Sequence, residues 1–310
     1  MAEFRAATPD QTQFLDELTE AGLLIETGEP GVYGASGVFD DIREGLDALI
    51  SRSSEPDQAE RLSFPPVMPR CHMEANGYLK SFPHLAGTVF SFAGTEAQAG
   101  EQYERASHHQ DWSGFQTMTD LVLTPAACYP VYPAMAARGP LPSGGATVDT
   151  GAALVFRSEP SGDPARLQMF HMRELVRLGD PDAVAAWRDA WRDRALELLC
   201  GLGLDARFDL ANDPFFGRGG RMLAASQREQ ALKFEIVVPI AGAEATAVAS
   251  FNYHQDHFGH AHGLTLADGE GAHTACLGFG LERVVLALLH AHGLEPSRWP
   301  LQTRRELWGS

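Results

Sequence analysis

Gly278-Phe279-Gly280-Leu281-Glu282-Arg283 runs directly into the aliphatic stretch Val284-Val285-Leu286-Ala287-Leu288-Leu289. That order puts a glycine-lined strand end immediately before a helix that carries an arginine. Glycines let a flat ligand approach the backbone, while a helix N-terminus and a fixed guanidinium both favour the negative charge of a nucleotide tail. On its own the hexapeptide equally fits an ordinary strand-to-helix turn with a surface arginine. A second constellation lies about a hundred residues earlier, at Phe156-Arg157-Ser158-Glu159 and at Arg166-Leu167-Gln168-Met169-Phe170-His171-Met172-Arg173-Glu174. Both pieces read as strands, joined by Pro160-Ser161-Gly162-Asp163-Pro164-Ala165, which is hairpin chemistry. Alternation puts Arg157 with Glu159, and Arg166 with Phe170 and Glu174, on shared faces. Two arginines, an aromatic plate and two carboxylates on one face suit a base, an α-phosphate and an ammonium group. The competing reading is an exposed hairpin laced by salt bridges.

Other elements must hold these residues in place. Asp40 to Ser51 reads as a helix, followed by an extended, proline-bearing Phe64-Pro65-Pro66-Val67-Met68-Pro69. Gly139 to Gly151, rich in Gly and Pro, reads as the loop before the Arg157 strand. Asp180 to Leu204, with Trp187, Trp191 and Leu198-Leu199 at helical spacings, reads as an amphipathic helix that packs on the core.

With the hairpin as its second motif and the Gly-x-Gly-x-x-Arg helix entry as its third, the chain resembles a class II aminoacyl-tRNA synthetase catalytic core over roughly residues 40 to 295. The helix, strand and proline of residues 40 to 69 resemble the first motif, which builds the dimer interface in that family. The resemblance implies an α+β fold, an antiparallel sheet flanked by helices, and a homodimer. Leu232-Lys233-Phe234-Glu235 and Ser250-Phe251-Asn252-Tyr253-His254-Gln255-Asp256-His257-Phe258 are similar to strands of seryl-tRNA synthetases, in particular the atypical archaeal type. That type holds a zinc ion with a Cys, Glu, Cys set, and Cys128, Glu174 and Cys276 stand at the matching places. Spacing alone would not suggest zinc, because these residues are scattered over about 150 positions with no local Cys-x-x-Cys signature. Three protein ligands with a fourth position open is nevertheless the arrangement of a functional zinc, and a substrate amino group could take that place.

The resemblance also distributes roles. Arg157 and Arg283 are implied as the catalytic pair, Arg157 on the α-phosphate and Arg283 over the adenine and at the γ-phosphate. Glu159 would meet the adenine amino group and Phe170 stack on the ring. Arg166, with Leu167 beside it, would be a second phosphate contact. Glu174, Ser250 and Asn252 would bind the substrate, and Glu235 is a candidate magnesium ligand. Where many relatives carry a glutamate shortly before the Ser-x-Asn strand, this chain has Thr246-Ala247-Val248-Ala249, with Glu244 two residues earlier, so the magnesium ligands stay open. Cys128 or Cys276 as a covalent nucleophile, with His171, His254 or His257 as base, is the lesser alternative. Cys71 and Cys200 read as core or partly buried thiols.

Charge and length bear on the acceptor. With 24 Lys+Arg against 41 Asp+Glu the formal net charge is -17, which disfavours a polyanion unless a local basic patch opposes it. Only about forty residues precede the first core helix, too few for a tRNA-gripping domain, so no tRNA partner is expected. An atypical seryl-synthetase-like core without that domain resembles the amino acid:[carrier protein] ligases. Those enzymes activate an amino acid, glycine or alanine in known members, with ATP, and pass it to the phosphopantetheine thiol of a carrier protein. Two units are expected, a short extension over 1–39 and a catalytic domain over 40–310, with a carrier-docking loop and helix near 213–229 that presents Arg218, Arg221 and Arg228. The alternatives are a synthetase paralogue acting on tRNA or another acceptor, and a non-catalytic amino-acid sensor. Four unpatterned cysteines fit a reducing cytoplasm, and neither a signal peptide nor a membrane-length apolar run is read.

Overall fold

A computed structural model of the chain describes residues 4–242 and 244–309; within the helix at 217–229 the side chains of 218, 219, 221, 223 and 226 lie outside the described set. In chain order the described strands are β1 (Leu24–Glu26), β2 (Tyr33–Ala35), β3 (Glu60–Arg61), β4 (Val67–Pro69), β5 (Thr88–Phe92), β6 (Gln116–Leu123), β7 (Ala146–Phe156), β8 (Met169–Gly179), β9 (Arg207–Leu210), β10 (Lys233–Pro239), β11 (Ala245–Gln255) and β12 (His273–Gly280). The helices are α1 (Pro9–Glu20), α2 (Gly37–Ser54), α3 (Arg70–Ala75), α4 (Tyr78–Ser81), α5 (Glu96–Ser107), α6 (Val131–Ala136), α7 (Pro181–Gly201), α8 (Gly217–Glu229), α9 (His257–His262), α10 (Leu281–His292) and α11 (Leu301–Trp308).

The main sheet runs β3-β7-β8-β12-β11-β10-β9, antiparallel throughout except for the short parallel β3 edge. β4-β6-β5 and β1-β2 form separate small sheets. α2, α7 and α10 share the core on one face of the main sheet, and the shorter α6 and α9 pack on the other. α2 starts where Ser36 accepts a hydrogen bond from the Phe39 amide, and it buries Phe39, Ile42, Leu46, Leu49 and Ile50 at three- and four-residue spacings. α7 is capped by Asp180 with Pro181 in its first turn. Its Trp187 and Trp191 both donate to the carboxylate of Asp57, at 2.8 and 3.1 Å. α10 is buried from Leu281 to Leu289 on nearly every side, so it is an interior helix. Phe14, Leu18, Leu23 and Leu24 enter the same core as α10, so residues before 40 pack into one core with the elements that follow.

Three expectations need correction. β7 ends at Phe156 and β8 begins at Met169, so Arg157, Glu159 and Arg166 lie in the hairpin loop and not on the strands. The reason is local: Glu159 N donates to Arg157 O, and Asp163 closes a turn by accepting from the Ala165 amide, which takes the chain off the ladder. The Gly139 to Gly151 loop ends early, because β7 already runs from Ala146. Gly151 sits inside it at φ +63, in a register shift between Asp149 and Ala152, where a Cβ would strike the Arg61 guanidinium. Cys71 and Cys200 are exposed. Among the described residues no helix is long and apolar enough to cross a membrane.

Candidate active site

Alternate residues of the central strands line one cavity of about 600 Å³: Phe170, Met172 and Glu174 from β8, Cys276, Gly278 and Gly280 from β12. Ser250 and Asn252 of β11 and Lys233 and Glu235 of β10 complete the row. Register explains the gathering, since Glu174 pairs with Gly278, Gly278 with Ser250 and Ser250 with Glu235, while Cys276 pairs with Asn252 and Asn252 with Lys233. Gly278 leaves room for Glu174, since a Cβ there would sit 3.2 Å from the glutamate Cγ and push that side chain by a few tenths of an ångström.

At one end, Cys128, Glu174 and Cys276 bring one ligand atom each within 4.8 Å of one another, all buried. The Cys128 amide donates to Glu174 Oε2 at 2.5 Å. Asn252 Nδ2 donates to Cys276 Sγ at 3.6 Å, while its buried Oδ1 has no hydrogen-bond partner among the described residues. His254 Nε2 also approaches Cys276 Sγ at 3.6 Å, and burial drives this imidazole down to about 3, so it is neutral. Without a cation the three groups resist ionisation. Burial raises Cys128 and Glu174, and the Cys128 contact together with burial lifts Cys276 well above a free thiol. Two buried thiols and a carboxylate converging on one point at the end of the cavity suit zinc by donor chemistry, and the cation would reverse their reluctance to ionise.

At the other end, the cations gather. Arg157 Nε donates to Pro125 O at 3.1 Å, and its guanidinium lies 5.7 Å from the Phe170 ring centroid. Arg283, at the start of α10, is fixed by Nε to Ala165 O at 2.7 Å and Nη1 to Ala247 O at 3.0 Å. Burial first, and then the proximity of Arg166 and Arg157, pull the Arg283 pKa down, and Glu159 and Asp163 offset this only in part. Arg166 pairs with Glu159 at 3.3 Å and with Asp163 at 3.7 Å. Arg157, Phe170 and Arg283 line the cavity, whereas Glu159, Arg166, Leu167 and Glu244 do not. His171 faces Glu282, its Nδ1 2.6 Å from Oε1 and its amide 2.8 Å from Oε2, and is engaged there.

No family model matches the chain. It is 48% identical over 299 residues to "Amino acid--[acyl-carrier-protein] ligase 2" of Bradyrhizobium diazoefficiens, an alignment covering 96% of this chain and 89% of that protein. The chain belongs to the amino acid--[acyl-carrier-protein] ligase family. It is therefore an enzyme, a ligase. A 144-residue stretch is 28% identical to the type-2 serine--tRNA ligase of Methanopyrus kandleri, covering 44% of this chain and 27% of that protein. Among solved structures, M. kandleri SerRS in complex with A. aeolicus tRNASec superposes with a TM-score of 0.79 at 21% identity, over 99% of this chain and 62% of the synthetase chain. The fold is thus that of class II synthetases, and the chain spans less than two thirds of that synthetase.

Several cavity residues in this ligase were not singled out by sequence. Lys233 lies between Asp213 and Glu235; its placement two residues from Glu235 on a strand was the available signal. An aromatic run from Tyr132 through Phe258, Tyr129 and Tyr78 to Phe82 and Phe215 connects the cysteine end with the start of the α8 region, its ring centroids 4.0 to 5.7 Å apart. Burial raises the Tyr78 phenol to about 12. In the expected docking segment, Arg228 is committed within the fold, donating Nε to Leu210 O at 3.1 Å. Arg218 and Arg221 lie on the α8 backbone, their side chains outside the described residues. Phe216 and Met222 are 59% and 77% exposed.

Proposed function

We propose that the protein activates glycine or alanine with ATP to an aminoacyl-adenylate and transfers the aminoacyl group to the phosphopantetheine thiol of a carrier protein. The observation that carries this reading is the continuity of one cavity between the arginine end and the Cys128, Glu174, Cys276 end. An amino group held at the second can present its carboxylate to a phosphate held at the first.

The amino-acid carboxylate attacks the α-phosphorus and pyrophosphate leaves, so positioning and charge neutralisation supply most of the acceleration. Arg157 stabilises the charge developing on the α-phosphate. Phe170 stacks on adenine and Arg283 covers its other face and reaches the γ-phosphate, while Glu159, Arg166 and Leu167, off the cavity wall, hold the loop that carries Arg157. Cys128, Glu174 and Cys276 would hold zinc, which when bound would supply a Lewis-acid site for an unprotonated amine. Ser250 and Asn252 flank the substrate, and the unpartnered Asn252 Oδ1 is an acceptor for its amino group. Magnesium has Glu235 as its candidate holder, in competition with Lys233 at 3.1 Å. In the second step the carrier thiol attacks the adenylate carbonyl, AMP departs and a thioester forms. The protein's own cysteines take no covalent part.

The acceptor reading rests on family membership and on a net charge of -17, which opposes tRNA. The carrier docks on 213–229, through Arg218 and Arg221. The enzyme acts in the cytoplasm as a homodimer built on the β4-β6-β5 sheet. There Phe90 and Leu121 are 54% and 42% exposed, and α5 buries no residue. The test supplies the enzyme with zinc, magnesium, ATP and labelled glycine or alanine, and offers phosphopantetheinylated carrier and bulk tRNA in parallel. Hydroxylamine-labile label on the carrier alone is expected; label on tRNA replaces this reading with an aminoacyl-tRNA synthetase, and amino-acid binding without pyrophosphate exchange replaces it with a sensor.

A further inference from the structure

The hairpin loop that carries Arg157, Glu159 and Arg166 is unusually enclosed. Loops normally run over the surface, yet Ser161, Asp163, Pro164, Ala165 and Gln168 are all buried. Arg283 covers Ala165 from α10, and the two ends of the loop are covered by residues 5–31. Arg5 pairs with Ser161 as an isolated parallel bridge: Arg5 N donates to Pro160 O at 3.2 Å, and Arg5 O accepts from Gly162 N at 3.1 Å and Ser161 Oγ at 3.2 Å. The tip of the β1-β2 hairpin meets the loop's other end. Gln168 donates its amide to Gly31 O at 2.7 Å and its Nε2 to Pro30 O at 2.8 Å. Its carbonyl in turn accepts from the Arg157 amide at 2.8 Å. Gly31 is required at this tip: its φ is +76, and a Cβ would sit 3.1 Å from Arg166 O and 3.2 Å from Gln168 Cγ.

We infer that the Pro30-Gly31 turn and Arg5 form a clamp that positions the nucleotide loop, with Gln168 as the positioning residue linking the clamp to Arg157. This rests on the reading of Arg157, Phe170 and Arg283 as the ATP site. The physical argument is one of preorganisation. A twelve-residue hairpin loop left free must be ordered each time a nucleotide binds, and that ordering cost is removed if the chain's own N-terminal residues already satisfy its backbone groups. Gln168 touches neither end of the cavity, so its effect on ATP passes through the position of Arg157.

The test uses the full zinc-loaded enzyme with Gln168→Met, which keeps the bulk and removes the Nε2 donor, and with Gly31→Ala, which disturbs the clamp from outside the site. KM for ATP in amino-acid-dependent ATP/pyrophosphate exchange is expected to rise about five- to tenfold. KM for the amino acid and zinc content stay unchanged, and amide hydrogen exchange of residues 157–168 accelerates in both variants. An unchanged KM for ATP with a freely exchanging loop overturns the inference, as does a parallel rise in both KM values, which marks general loosening. Should Gln168→Met fail to fold, Gly31→Ala decides alone. If the unaltered enzyme shows no exchange activity at all, the ATP reading falls instead, and loop protection in the two variants still reports whether the clamp exists.

Discussion

Lys233 Nζ lies 2.5 Å from Asp213 Oδ1 and 3.1 Å from Glu235 Oε1, so one buried ammonium ties the segment leading into α8 to a carboxylate that lines the cavity. Gln227, on α8, closes the arrangement, accepting from the Asp213 amide and donating to Asp213 Oδ2, each at 2.8 Å. Burial alone would raise Asp213 and lower Lys233. Their attraction outweighs it, leaving Asp213 depressed and Lys233 raised.

Asp213→Asn is expected to cost roughly 2 kcal/mol at neutral pH, below the 3–5 kcal/mol of a fully orphaned buried charge because Glu235 remains. The sign with pH follows from linkage. A depressed carboxylate stabilises above its unfolded pKa, about 3.9, and that contribution is lost as pH falls through its folded value. The raised lysine stabilises fully below about 10.4 and loses its contribution as pH rises through its own folded value. Urea unfolding of the parent and variant should therefore differ by a constant amount between these limits and converge in acid. A difference that persists unchanged in acid would locate the effect elsewhere.

Metal content should follow the triad. Purified enzyme is expected to carry one zinc per chain, and Cys276→Ala or Cys128→Ala to lose most of it together with exchange activity. Because both thiols sit above their ordinary values when no cation is present, zinc binding must displace their protons, and affinity should fall steeply as pH drops. Elemental analysis after dialysis at graded pH measures this. Full zinc in both variants would remove Cys128 and Cys276 from the ligand set.

At the other end of the cavity the arginine and the ring should separate kinetically. Arg157→Ala is expected to lower kcat for exchange by about two to three orders of magnitude, with Arg157→Lys intermediate, since lysine keeps charge but not the fork geometry. Phe170→Ala should act on KM for ATP, by about 1–3 kcal/mol of lost base stacking. Steady-state exchange at varied ATP distinguishes the two patterns.

Arg173 should prove structural. Fully buried, it meets Asp149 Oδ2 at 2.5 Å and Asp47 Oδ1 and Ser51 Oγ on α2 at 2.8 and 2.7 Å. Arg173→Met would remove the buried partner of both carboxylates, but Asp149 keeps Arg61 at 3.4 Å and the Gly151 amide at 2.8 Å, so the expected cost is roughly 2–3 kcal/mol, below that of a fully orphaned buried charge, read by urea unfolding.

How much of this is legible in the sequence varies by residue. The junction of β12 and α10 is plain, because Gly280 and the aliphatic run from Leu281 mark strand end and interior helix by composition. Alternation along β8 also puts Phe170 and Glu174 on one face. The loop placement of Arg157, Glu159 and Arg166 is only partly legible, since besides the local turn at Asp163 the loop is held by contacts from Arg5, Pro30 and Gly31, more than a hundred residues away. Cys128, Glu174 and Cys276 show no mutual spacing; only the register of β8, β12 and β11 brings two of them together. Arg173 reads as one more charge in a charged strand, and its burial depends on where α2 packs.

The tryptophans are distributed so that none lines the cavity among the described residues, whose aromatic walls are tyrosine and phenylalanine. Trp187 and Trp191 instead report on α7 and its bond to Asp57, and Trp299, 2% exposed, on the packing beneath α10. Once the exposed Trp112, outside that layer, is replaced by phenylalanine, indole fluorescence becomes a monitor of the helical layer and nearly blind to what fills the site. Ligand occupancy has to be followed through tyrosine emission or a labelled nucleotide.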